Sequence, residues 1–112
     1  MHIQVHTDNH IEGDQRLSEY AETGIHLALG HLTDRVTRVD VHLADENGDK
    51  VSARDKRCTL EAHSSGETPV AVTHHAGTVR DAFSGAAEKL ERVLAGIEDR
   101  RRDRYATHPA RG

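Results

Sequence analysis

The stretch "SGAAEKLERVLAGIEDRRRDR", Ser84–Arg104, decides the architecture, because its apolar residues recur at helical spacing and then stop before the helix signal does. Extended upstream, Val79, Phe83, Ala86, Leu90, Leu94 and Ile97 form one stripe. Thr78, with Asp81 three residues on, supplies an N-terminal cap akin to a capping box. A helix from Thr78 to about Arg104 spans roughly 40 Å, whereas a strand of about seven residues spans roughly 23 Å. The last two or three turns should therefore overhang any sheet the helix covers, and they carry Arg100, Arg101, Arg102 and Arg104.

Upstream of this helix lie four alternating segments and one further helix. "HIQVHT" turns Ile3 and Val5 to one face and His2, Gln4 and His6 to the other. After "DNHIEGD", Asp14 is the candidate N-cap of a helix whose stripe runs through Leu17, Tyr20, Ala21, Gly24, Ala28 and Leu32, with Ile25 and Leu27 flanking it. Gly24 falls mid-stripe, where it costs about 1 kcal/mol against Ala, which points to close approach by a neighbouring element. "VTRVDVHL" places Val39, Val41 and Leu43 inward, and "RDKRCTLEAH" does the same for Cys58, Leu60 and Ala62. Between them, Asn47-Gly48 reads as a turn. "SSGE" closes a hairpin into "TPVAVTHH", with Val70 and Val72 inward and Pro69 marking an edge strand. The order β-α-β-β-β-α predicts an α+β two-layer sandwich, two helices on one face of a four-stranded sheet. Residues 1–104 form the domain and 105–112 a flexible C-terminal tail.

Composition narrows the function classes. The chain has 112 residues, enough for one modest core. With 3% aromatic residues and no Trp, that core is built from Val, Leu, Ile and Ala. A single cysteine, Cys58, excludes an intrachain disulfide and fits a reducing compartment. No segment approaches the ~20 apolar residues of a membrane span, and "MHIQVHTDNH" does not resemble a signal peptide. The expectation is a soluble cytoplasmic protein with no membrane partner. There is no Gly-rich phosphate loop, no supported Ser/His or Cys/His arrangement and no paired carboxylates in an evident pocket, so no enzyme activity, cofactor or small-molecule substrate is expected.

The net charge of −4 is distributed unevenly. Met1–Ala53 holds four Lys/Arg against ten Asp/Glu, a balance of −6, while Arg54 onward holds eleven against nine, or +2. A polyanion-binding surface should therefore lie in the second half. About Leu90, the helical wheel groups Lys89, Arg92 and Arg100 with Gly85 and Gly96 on one flank, where a phosphate backbone could approach closely. Glu91 and Glu98 lie on the other flank with Arg80 and Arg102. Pairs such as Glu88 with Arg92 equally suit a solvated helix laced by salt bridges. Lys56 and Arg57, entering the third strand, form a second basic locus. Ten histidines invite a metal reading, but no spacing matches a zinc pattern. They read instead as a His-rich, partly exposed sheet face, with no metal site assigned.

At this point the chain resembles a known family. "EKLERVL", Glu88–Leu94, is similar to the "DKLxRQL" signature of the bacterial ribosome hibernation factors: hibernation promoting factor, ribosome-associated inhibitor A and the sigma-54 modulation proteins. The first helix, "RLSEYAETGI", resembles the family's corresponding helix, and the element order agrees over roughly Met1 to Arg102. The likeness is to a divergent short form. Arg80 and Ser84 stand where the family often has Tyr and Asp, and the first helix carries Arg16, Glu19 and Glu22 where the family has several lysines. The resemblance implies binding to small-subunit rRNA near the decoding region and inhibition of translation in stationary phase or stress. Longer members carry a second, ribosome-pairing domain, which is not expected in a sequence of this length. It carries RNA contact onto Lys89 and Arg92, and more loosely onto Arg100, Arg101 and Arg102. Lys56, Arg57 and Arg80 complete the candidate RNA-binding set. The alternative is a protein-interaction or regulatory module that shares the fold and has lost ribosome binding, which the acidic first half favours. The oligomeric state stays open.

Overall fold

The structure, a computed structural model, describes residues 1–46 and 55–107, with side chains through Asp103. The Asn47-Gly48 turn and residues 108–112 lie outside the described residues. The elements follow the expected order: β1 (His2–Thr7), α1 (Gln15–Leu29), a 3₁₀ segment (Gly30–Arg35), β2 (Val36–Asp45), β3 (Lys56–Ser64), β4 (Val70–Ala76) and α2 (Val79–Thr107).

Strand alternation builds the sheet. Its order is β1-β2-β3-β4, with β1 parallel to β2 through the α1 crossover and the other pairs antiparallel. Val39, Val41, Cys58, Leu60 and Ala62 point to the helix side and are no more than 2% exposed. Ile3, Val5, Val70 and Val72 pack at the margins of the same cluster, as edge strands must. β4 is an edge strand, as Pro69 indicated. A turn at Ser64–Glu67 joins it to β3, closed by the Glu67 N–H on the Ser64 carbonyl (3.1 Å), with Gly66 at φ 74° in the left-handed region.

Both helices are capped by the residues that the sequence nominates. The Asp14 carboxylate accepts the Leu17 N–H at 3.0 Å, and the Thr78 hydroxyl accepts the Asp81 N–H at 3.0 Å. The stripe of α1 is rotated from expectation. Ala21, Ile25 and Leu29 are its buried axis, while Leu27 is 80% exposed. The α-helix ends at Leu29 because Gly30, at φ 55°, takes the C-cap, and Leu32 is buried from the 3₁₀ segment instead. Gly24 meets its expected neighbour: a Cβ there would lie 2.5 Å from Phe83 Cε2, so α1 and α2 touch at this point.

α2 continues through Tyr105, Ala106 and Thr107, beyond the expected start of the tail. Its inner face carries Phe83, Ala86 and Leu90 at the centre, with Leu94 and Ala95 packed at the edge of the core. Arg101 still meets Glu67 of the β3–β4 turn, so the helix is held to the sheet further toward its end than the length argument allowed.

Candidate functional site

The eight candidate cations fall into five groups, because helix and strand periodicities send sequence neighbours to different surfaces. Lys89, Arg92 and Arg100 fall on one flank of the α2 wheel, and of the three Lys89 is the one that reaches β4. Lys89 Nζ donates to the Thr73 carbonyl at 2.8 Å, so it covers the outer edge of β4 while its charge stays in solvent. Arg92 sits 3.7 Å from Glu88, with both side chains more than 70% exposed. Such an i,i+4 pair is worth about 0.3–0.5 kcal/mol and yields readily to a stronger anion. Among the described residues Arg100 makes no ion pair and no hydrogen bond.

Arg80 and Arg102 stand on the opposite flank, toward α1. The Arg80 guanidinium lies 5.1 Å from the centre of the Tyr20 ring, a cation–π contact that leaves the charge unneutralised. Arg102 is paired with Asp99 on its own helix and remains 65% exposed.

Arg101 belongs to neither flank. It follows Leu94 and Ile97 on the inner face and is only 16% exposed, paired with Glu67 of the β3–β4 turn and 3.9 Å from Glu98. Glu98 is held in turn by Arg35 at 3.3 Å. Arg101 thus pins the end of α2 to the sheet beside a cavity of about 150 Å³ that Leu32, Val36 and Leu94 also line. The expected overhang included Arg101, and its ion pair with Glu67 corrects that placement. The wheel held the signal, since Arg101 falls 11 positions after Leu90, close to three full turns.

Lys56 and Arg57 do not form one locus, because adjacent strand residues face opposite sides. Lys56 Nζ lies 2.7 Å from Asp55 and 3.5 Å from Asp45. The hydrogen bond to Asp55 is the main reason its pKa is raised. Arg57 is on the helix-free face, 3.2 Å from Glu46.

The glycines of the Lys89 flank also differ from their expected use. A Cβ on Gly85 would collide with the His74 ring, so Gly85 seats a β4 side chain against α2 and is closed to a phosphate. Gly96 meets no more than Arg100 Nη1 at 3.5 Å and keeps its surface open.

The other face of the sheet carries no helix. His6 and His42 stack there with ring centroids 4.6 Å apart and planes 13° from parallel, and His75 lies 2.9 Å from Glu46. Asp40, 7% exposed, sits under a polar layer: Arg38 Nε at 3.2 Å, His63 Nε2 at 3.4 Å and His6 Nε2 at 3.7 Å. Sequence reasoning placed these histidines outward but missed Asp40 at their centre, because β2–β3 register rather than local spacing brings the group together. Cys58 is fully buried on the helix side, and burial pushes its thiol pKa up to about 12.

No helix among the described residues is long and apolar enough to cross a membrane. A ribosomal subunit interface protein from Coxiella burnetii has a similar structure, with a TM-score of 0.73 at 15% identity over 88% of this chain and 99% of that one. The N-terminal domain of Thermus thermophilus Protein Y matches with a TM-score of 0.70 at 18% identity, over 87% and 99% respectively. At those identities the likeness is one of fold. No curated protein matches the chain. The family described as sigma 54 modulation protein / S30EA ribosomal protein matches residues 3–102, from the second residue of β1 into the last turns of α2. The chain belongs to the sigma 54 modulation protein / S30EA ribosomal protein family.

Proposed function

We propose that the chain associates with the ribosome and inhibits translation by occupancy, contacting small-subunit rRNA near the decoding region under stress or in stationary phase. The observation that carries this reading is the family match across residues 3–102. The names of the structural relatives, a ribosomal subunit interface protein and Protein Y, point the same way. No chemical step is needed, and the site of action would be the cytoplasm, where ribosomes are.

The geometry ranks the contacts. Lys89, Arg92 and Arg100 present exposed charge along one flank, and Arg80 and Arg102 add charge on the flank toward α1. Arg101, Lys56 and Arg57 already face carboxylates, so their part is smaller: Arg101 orients the helix end, and Lys56 and Arg57 reach RNA only by exchanging partners. About five neutralised phosphates give a slope of log affinity against log salt of about −3.5 to −4.5. Co-sedimentation with purified small subunits across a salt series tests this. Absence of salt-sensitive association at low ionic strength would remove the reading.

A second reading is a regulatory module that binds protein instead. It is favoured by the carboxylate partners of four of the five candidate cations outside the Lys89 flank: Lys56, Arg57, Arg101 and Arg102. Under that reading, charge reversal at Lys89 and Arg92 leaves function untouched.

A further inference from the structure

On the helix-free face of the sheet, His63 Nε2 occupies a position that protons alone satisfy poorly. It lies 2.8 Å from Glu61 Oε1 and 3.4 Å from Asp40 Oδ2, both acceptors, and 3.2 Å from Arg38 Nη2, which is donor only. A nitrogen carrying a proton answers the carboxylates and opposes the guanidinium. A nitrogen carrying a lone pair answers the guanidinium and opposes the carboxylates. One ring atom cannot do both.

A divalent cation resolves the conflict. It accepts the imidazole lone pair and both carboxylate oxygens at once, and it replaces Arg38 as the positive partner. Asp40, Glu61 and His63 each offer one ligand atom, and the three atoms lie within 4.8 Å of one another. Ligands held 2.0–2.1 Å from a tetrahedral zinc ion are about 3.3 Å apart, close to the 3.4 Å between Asp40 Oδ2 and His63 Nε2. The 2.8 Å between Glu61 Oε1 and His63 Nε2 is shorter, so Glu61, 41% exposed, must draw back by about 0.5 Å to admit the ion. The supports are rigid, since Asp40 pairs directly with Glu61 across β2 and β3 and its side chain is 10% exposed. His6, on β1 and braced by the His42 ring, faces the other Asp40 oxygen at 3.7 Å, where it can steady that carboxylate. Arg38 is 47% exposed, free to swing its guanidinium into solvent when the cation arrives.

From these distances we propose that Asp40, Glu61 and His63 form a binding site for a divalent transition metal of the zinc class on the helix-free sheet face, with Arg38 as the competing cation and His6 as a positioning residue. The mixed nitrogen and oxygen donor set selects zinc-like ions over magnesium and calcium, which take oxygen ligands. The site lies on the opposite side of the sheet from α2, so it does not depend on ribosome association.

The test is a zinc titration of the full chain, free of any affinity tag, by calorimetry in excess magnesium. The expected result is one saturable equivalent of Zn²⁺. Affinity should fall about tenfold or more in His63→Gln and in Glu61→Gln, rise several-fold in Arg38→Gln, and stay unchanged in His75→Gln, which removes an exposed histidine of the same face. Zinc should raise the melting temperature of the wild type and not that of His63→Gln, with circular dichroism confirming the fold of each variant. If a single variant fails to fold, the opposite-signed responses of Glu61→Gln and Arg38→Gln still decide. No saturable binding, binding that His63→Gln and Glu61→Gln leave intact, or weakening in Arg38→Gln overturns the proposal.

Discussion

Replacing Gly24 by Ala sets two effects of known sign against each other. Helix propensity alone favours the substitution by about 1 kcal/mol in the interior of α1. The added Cβ, however, would lie 2.5 Å from Phe83 Cε2 and 2.9 Å from Cζ, closer than packed carbons tolerate. Phe83 cannot retreat easily: it is 3% exposed, and the Tyr20 ring stands 5.4 Å away at 57°. Overpacking of this kind costs about 1–3 kcal/mol. The net change should be a destabilisation of up to about 2 kcal/mol, or a fall in melting temperature of up to roughly 8 °C for a domain of this size. Urea denaturation measures it directly. Shortening the ring in the double variant Gly24→Ala/Phe83→Leu should recover part of the loss, so that the two substitutions are non-additive. An increase in stability on Gly24→Ala, the outcome that propensity dictates, would refute the close α1–α2 contact.

Other tests address the caps, the core thiol and the helix end. Asp14→Ala removes the carboxylate that receives the Leu17 N–H and should lower stability by about 1 kcal/mol, read by thermal denaturation. Cys58 should resist a thiol reagent at pH 8 in the folded chain and react fully in denaturant, because burial both shields it and holds it protonated. Its folded pKa, about 12, exceeds the unfolded value near 9. The unfolded chain therefore releases this proton first, and stability should decline as pH rises above about 9, a decline that Cys58→Ala lessens. Arg101→Ala should lower stability while leaving the salt dependence of ribosome association nearly unchanged, since its charge is engaged with Glu67 and Glu98.

Strand parity was the most legible feature of the sequence, because a period of two admits one arrangement once a face is buried. Val39, Val41, Cys58 and Leu60 all point where alternation places them, and the Asp14 and Thr78 caps act as their residue types suggest. The α1 stripe was harder to read. Its small residues Ala21, Gly24 and Ala28 spread the apolar signal, so Ile25 emerged as a flank when it is the centre. The candidate site was legible only in part, for a different reason. Charge type marks a residue as capable of meeting phosphate, but the partner that absorbs the charge comes from elsewhere in the chain. Glu67 reaches Arg101 across 34 positions and Glu46 reaches Arg57 across 11. Only the folded register reveals such pairs, just as it reveals Asp40 between His6 and His63.

The central claim, that the exposed flank of α2 carries the chain to ribosomal RNA, is most directly tested by small-subunit co-sedimentation of the Lys89→Glu/Arg92→Glu/Arg100→Glu variant across a salt series. The account predicts a folded protein by circular dichroism whose association is lost, or whose salt slope is shallower by about 0.7–0.9 for each phosphate contact removed. Association of the variant at wild-type affinity, with an unchanged slope, would contradict it.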